Sequence, residues 1–118
     1  MRRLLCCGET MSDKNQEYQI ETSADGTLVF AMPVTLDSVS APNIKRDALR
    51  LLANGAGDIR VDLEATTFMD SAGIGLLVTL YRTAKEQGHA VAIVGARGQP
   101  LSLIRSVQMD RVIDIESA

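Results

Sequence analysis

The chain has no tryptophan and, in 118 residues, only two phenylalanines and two tyrosines. A core of stacked aromatics is therefore excluded, and the 46% of hydrophobic residues must pack chiefly as Leu, Val, Ile and Ala. Cysteine is scarce too: Cys6 and Cys7 are adjacent, in a segment that reads as a tail, without the spacing of a zinc site or a disulfide framework. This usage fits a reducing, cytoplasmic setting. The single histidine, His89, falls at an expected helix-to-strand junction with no second His or Cys to complete a metal site, so it reads as a solvent-facing turn residue. Excess positive charge is missing as well. With 12 Lys and Arg against 15 Asp and Glu, a net charge of -3, and no basic run interleaved with aromatics, the composition argues against nucleic-acid binding. The apolar stretch behind Arg2 and Arg3 spans only Leu4 to Cys7, whereas a signal-peptide core needs about 7 to 15 residues. Neither a secretion signal nor membrane insertion is expected.

A chain of this length fits one domain that buries a core without disulfides or metals. Residues 1–16 read as a flexible tail and 17–118 as the domain. Residues 1–10 are either an extension ahead of a native start at Met11 or a natural disordered tail, and both readings stay open. "YQIET" and "TLVFAM" are strand-like and flank "SADG", whose Asp-Gly pair suits a hairpin turn. After Pro33, Asp37, Ser38 and Ser40 are helix-cap candidates ahead of Pro42, and Ile44, Ala48, Leu51 and Leu52 carry helical spacing up to Gly55 and Gly57. "DIRVDL" alternates, as a strand with one wet face does. A second helix is expected from about Ser71 to Gln87, with Ile74, Leu77, Val78 and Tyr81 inward and Gly88 past its end. "HAVAIVG" is a continuous apolar strand and the candidate sheet centre. "QPLSLIRSVQMD" has Leu101, Ile104 and Val107 near helical spacing, and "RVIDI" is a last strand. The expected fold is α/β: a mixed sheet of about five strands opened by an antiparallel hairpin, with three or more helices mainly on one face.

Enzyme apparatus is nearly absent from the sequence. There is no GxxxxGK[ST] loop and no GxGxxG, and Gly95-Ala96-Arg97-Gly98 reads as an ordinary strand-to-helix turn. Nothing nearby supplies Ser71 with a base.

"FMDSAGIG" (68–75) is the stretch that stands out. Asp70 is a natural cap for the second helix, since its carboxylate accepts from free N–H groups in a field that favours negative charge. Ser71 then lies in the first turn at the sheet's rim. Gly73 and Gly75 each cost a helix interior about 1 kcal/mol relative to Ala. Either they let the helix press on the core or they bare the backbone so that a partner can approach; one glycine can do each. A phosphate on Ser71, adding a charge of about -1.5 to -2, would meet the positive helix end and be tolerated by the fold. A partner docked over the same spot would be repelled.

These residues, "VDLEATTFMDSAGIGLLVTL" with the closing "PLSLIRSVQMDRVIDI", resemble the STAS domain in its stand-alone form as a bacterial anti-sigma factor antagonist. The resemblance implies that Ser71 is phosphorylated by an anti-sigma factor that is also an ATP-dependent serine kinase, and that phosphorylation ends binding. A metal-dependent serine phosphatase would restore it. Asp70 would help position Ser71, Ala72, Gly73, Ile74 and Gly75 would form docking backbone, and Thr35 and Asp37 would belong to the same surface. ATP and metal would belong to the partners, so no cofactor is expected here. One departure stands out: family members often carry Gly-x-Leu-Asp where this chain has Val34-Thr35-Leu36-Asp37. The alternative is a constitutive STAS subunit of another assembly, such as a lipid-transport ATPase complex.

Overall fold

Alternation of apolar and polar residues in short segments builds one sheet with two unlike faces. The computed structural model describes residues 17–116 and the backbone of residues 2–4. In chain order the elements are β1 (Arg2–Leu4), β2 (Gln19–Thr22), β3 (Leu28–Ala31), β4 (Thr35–Leu36), α1 (Ala41–Ala53), β5 (Ile59–Asp62), β6 (Phe68–Met69), α2 (Ser71–Glu86), β7 (Val91–Val94), α3 (Gly98–Ser106) and β8 (Asp114–Glu116). The main sheet runs β1-β2-β3-β5-β7-β8, and β4 pairs with β6 in a separate ribbon. β2 and β3 are antiparallel, whereas β5, β7 and β8 each join in parallel. This is the expected α/β sheet opened by a hairpin, with one further edge strand: Arg2–Leu4 pair antiparallel with β2. The rest of the expected tail, including Cys6 and Cys7, lies outside the described residues.

Ile20, Leu28, Phe30, Ile59, Val61, Val91 and Ile93 all point to one face and are buried there against the helices. Each contributes about 1.5–3 kcal/mol by leaving water. The other face is half-buried and carries Arg60, whose Nη2 donates to Glu116 Oε1 at 2.6 Å. In the hairpin only Gly26 adopts positive φ (+92°), closing a turn in which its N–H donates to Ser23 O at 3.0 Å. Asp25, the residue before it, accepts from the Ser23 hydroxyl and the Thr27 N–H, which hold its carboxyl below the usual range.

Two expectations are corrected. The apolar run 89–95 suggested β7 as the centre, but β3 and β5 lie there and β7 is next to the β8 edge. Each crossover helix carries the chain one strand further from the hairpin, so late strands fall toward the rim. The inner stripe of α2 is also rotated: Gly73, Leu76, Leu77, Leu80 and Ala84 are buried, Ile74 and Tyr81 are half-buried, and Val78 is 37% exposed. Nearly every position from 74 to 81 is apolar, so periodicity alone does not choose the face; the small Gly73 and Ala84, which allow close approach, decide it.

The expected stripe of α1 holds, with Ile44, Ala48 and Leu52 buried and Leu51 half-buried. Its buried Asp47 accepts a hydrogen bond from the Tyr18 hydroxyl at 2.6 Å, which fastens the entry to β2 onto α1. In α3, Pro100 and Ile104 are buried, whereas Val107 lies just past the helix and is exposed.

Candidate functional site

The ribbon of β4 and β6 brings two distant segments of sequence to one rim. Thr35 lies opposite Phe68 and Leu36 opposite Met69. The pairing extends in both directions: the buried Thr66 hydroxyl donates to Pro33 O at 2.7 Å, Thr67 N–H to Val34 O at 2.8 Å, and Asp70 N–H to Leu36 O at 3.3 Å. Val34 thus contributes a backbone carbonyl to this zipper. Asp37 and Asp70 leave the ribbon from the same end.

Each aspartate then organises the turn that follows it. Asp70 is the N-cap of α2 in extended conformation, its Oδ1 accepting from Ala72 N–H at 2.9 Å and Gly73 N–H at 3.4 Å. Of the cap candidates before α1, Ser40 holds the N-cap position without a side-chain cap bond. Asp37 Oδ1 organises the turn ahead of it, accepting from Val39 N–H at 3.0 Å and Ser40 N–H at 3.3 Å, while Ser40 Oγ accepts from Asp37 N–H at 3.1 Å. Ser38 is exposed, and Ser40 is buried with its hydroxyl donating to Thr35 O at 3.0 Å. Asp70→Ala should therefore cost about 1 kcal/mol of stability, read as a lower midpoint in urea unfolding at unchanged slope; no shift in midpoint would show that the cap is energetically idle.

Ser71, the first residue of α2, is exposed. The two glycines beyond it divide between the alternatives. A Cβ on Gly73 would stand 2.5 Å from Met69 Cγ and 3.0 Å from Leu36 O, so this glycine seats α2 on the ribbon. It is buried and faces the core. A Cβ on Gly75 would meet nothing within 4 Å. Gly75, with Ala72, Leu76, Thr79, Ser38, Ala41, Pro42 and Lys45, lines a groove of about 380 Å³ between α1 and α2. Ser71 and Gly75 are four apart on the helix and so share a face; Ser71 itself is not part of the groove lining and lies one turn N-terminal to Gly75. Val39 (64% exposed) and Phe68 (45% exposed) add apolar surface on the turn before α1 and on β6. Thr35, Asp37, Asp70, Ala72 and Ile74 are half-buried.

Sequence reasoning missed Lys45, Thr66 and Gln99. Lys45 is exposed at the groove, and Gln99 reaches from α3 to the backbone of Met69 with two hydrogen bonds of 2.8 Å. Nothing local marks Thr66 and Gln99, because their partners lie 33 and 30 positions away in the chain, and Lys45 meets the α2 side of the groove only in the folded chain. His89 is half-buried rather than free in solvent, with Nδ1 3.5 Å from Asp58 Oδ1. Among the described residues no group of three or more His, Cys, Asp and Glu is placed to hold a metal ion, and no helix is long and apolar enough to cross a membrane.

The fold and its rim define a class: a small α/β domain with a hairpin-led mixed sheet that displays an exposed serine as the first residue of an Asp-capped helix. The chain belongs to the STAS domain family, whose profile matches residues 18–118. Over 82 residues it is 29% identical to the anti-sigma-B factor antagonist of Bacillus subtilis, covering 70% of this chain and 74% of that protein. Its fold matches SpoIIAA, an anti-sigma factor antagonist and Bacillus cell fate determinant, with TM-scores of 0.70 for the unphosphorylated and 0.73 for the phosphorylated form. Identity there is 20%, over 86% of this chain and 86% and 90% of those chains. The same fold occurs in the murine anion transporter Slc26a9 (TM-score 0.58, 14% identity), where it matches 96% of this chain but 19% of the transporter.

Proposed function

We propose that this protein is a phosphorylation-switched anti-sigma factor antagonist. Unphosphorylated, it binds an anti-sigma factor that is also a serine kinase, and a sigma factor is freed. The observation that carries this reading is the exposed Ser71 in the first turn of α2, on the same helix face as the open Gly75 one turn on.

Phosphorylation forms a bond between Ser71 Oγ and the γ-phosphorus of the partner's ATP and breaks the bond to ADP; the hydroxyl proton passes to a base on the partner. The product dianion sits at the positive end of α2, which accommodates it. A partner seated over Ala72, Ile74 and Gly75, with Thr35, Asp37 and Asp70 beside them, then meets new charge where it had met a neutral hydroxyl, and it dissociates. A metal-dependent phosphatase reverses the state by hydrolysing the phosphoester. The ATP and the metal reside in those partners, and this chain contributes binding alone.

Intact-mass spectrometry of the protein from its native cells tests the reading. A fraction heavier by about 80 Da, one phosphoryl group, located on Ser71 by fragmentation, is expected. Protein that is unmodified in every growth condition would favour the constitutive subunit, a use of the fold suggested by its occurrence inside a transporter chain.

A further inference from the structure

β6 is only two residues long, and β4 pairs with one of its edges. Phe68 and Asp70 direct their N–H groups to β4, donating to Val34 O and Leu36 O at 3.3 Å each. Met69, between them, therefore turns its N–H and C=O the other way, as strand geometry requires. Among the described residues no strand pairs on that side. Its place is taken by one side chain, Gln99 of α3: Oε1 accepts from Met69 N–H and Nε2 donates to Met69 O, both at 2.8 Å. Met69 is 1% exposed, and Gln99, itself an exposed residue, covers both of its backbone groups.

We propose that Gln99 is a positioning residue for Ser71, acting as the missing third strand of the ribbon whose end carries Asp70 and Ser71. The proposal rests on Ser71 being the modified residue. Met69 is followed directly by the capping Asp70 and then by Ser71, so any shift of Met69 is passed through two peptide units to the hydroxyl. A two-stranded ribbon is marginal by itself, and only a primary amide both donates and accepts in the manner of a peptide group. Alanine does neither. Glutamate at neutral pH accepts but cannot donate, and would set a carboxylate against the Met69 carbonyl.

The test combines amide hydrogen exchange with a labelling assay on the wild-type chain and on Gln99→Ala and Gln99→Glu. In Gln99→Ala the Met69 amide should exchange at least about tenfold faster, while Leu80 and Ile93 keep their wild-type rates. In Gln99→Glu that amide should stay protected, since a carboxylate still accepts from it. With soluble extract of the source cells and radiolabelled ATP as the kinase source, both variants should take label on Ser71 with maximal rate reduced about tenfold or more and half-saturating concentration changed much less, the sign of a misplaced nucleophile. A wild-type exchange rate at Met69 in Gln99→Ala, or a wild-type maximal rate in both variants, would overturn the proposal. An unlabelled wild-type chain would instead overturn the Ser71 switch, and the Met69 exchange rates alone would then decide whether Gln99 anchors the Asp70–Ser71 segment.

Discussion

Ser71→Asp should leave folding stability within about 0.5 kcal/mol of wild type, as exposed substitutions usually do, and weaken capture of the anti-sigma factor about a hundredfold. The two effects separate because they act on different surfaces. Within the chain, the new carboxylate occupies the first turn of α2, where the helix field favours negative charge. It stands beside Asp70, whose Oδ1 already faces the Ala72 and Gly73 amides, so the favourable and unfavourable terms nearly offset. Across the interface there is no such compensation: a partner fitted to a neutral hydroxyl must bury a charge, and like-charge or unpaired contacts cost several kcal/mol, of which about 2.7 suffices for a hundredfold. Ser71→Ala should bind as wild type does and never take phosphate. Isothermal titration against the purified partner, beside urea melts of both variants, gives the answer. Equal affinity for the two variants would rule out the switch and leave the constitutive subunit.

The second large effect sets the two glycines against each other. Gly73→Ala drives a methyl to within 2.5 Å of Met69 Cγ and 3.0 Å of the Leu36 carbonyl. Overpacking of this kind costs about 1–3 kcal/mol, only partly offset by the helix gain of about 1 kcal/mol. The Leu36 contact is backbone and is held in the ribbon, so relief must come from moving α2. A net loss of up to about 2 kcal/mol is expected, a fall of as much as several degrees in Tm. Gly75→Ala meets nothing and should raise Tm, by up to about 1 kcal/mol of helix propensity. Gly75→Leu should keep that stability while filling the groove, and so should lose the partner without losing the fold. Differential scanning calorimetry and the same titration separate these outcomes; a Gly75→Ala variant less stable than wild type would mean that the position is packed, and the groove would no longer be a docking site.

Much of this was legible in the sequence because it rests on local rules. Asp70 caps α2 because a carboxylate followed by free N–H groups needs no distant partner, and Gly26 turns the hairpin because glycine adopts positive φ without strain. The alternation of Ile59, Val61 and Leu63 yields a strand with one dry face whatever surrounds it. Where the local pattern was degenerate it failed. Six of the eight residues from Ile74 to Tyr81 are large and apolar, and the face that α2 buries was chosen by how closely Gly73 approaches Leu36 and Met69.

The sequence by itself therefore determined the α/β class, the hairpin, the three helices, and a capped serine with two glycines behind it, since each follows from neighbours within a few positions. Only the tertiary structure decided which glycine packs and which lies open, that residues 33–37 and 66–70 form one rim, and that Lys45 faces the groove beside Gly75. It also assigned Gln99 to the backbone of Met69, 30 positions away. Such pairings depend on how elements far apart in the chain are stacked, and hydrogen-bond complementarity between a side-chain amide and a strand edge leaves no periodic trace in either segment.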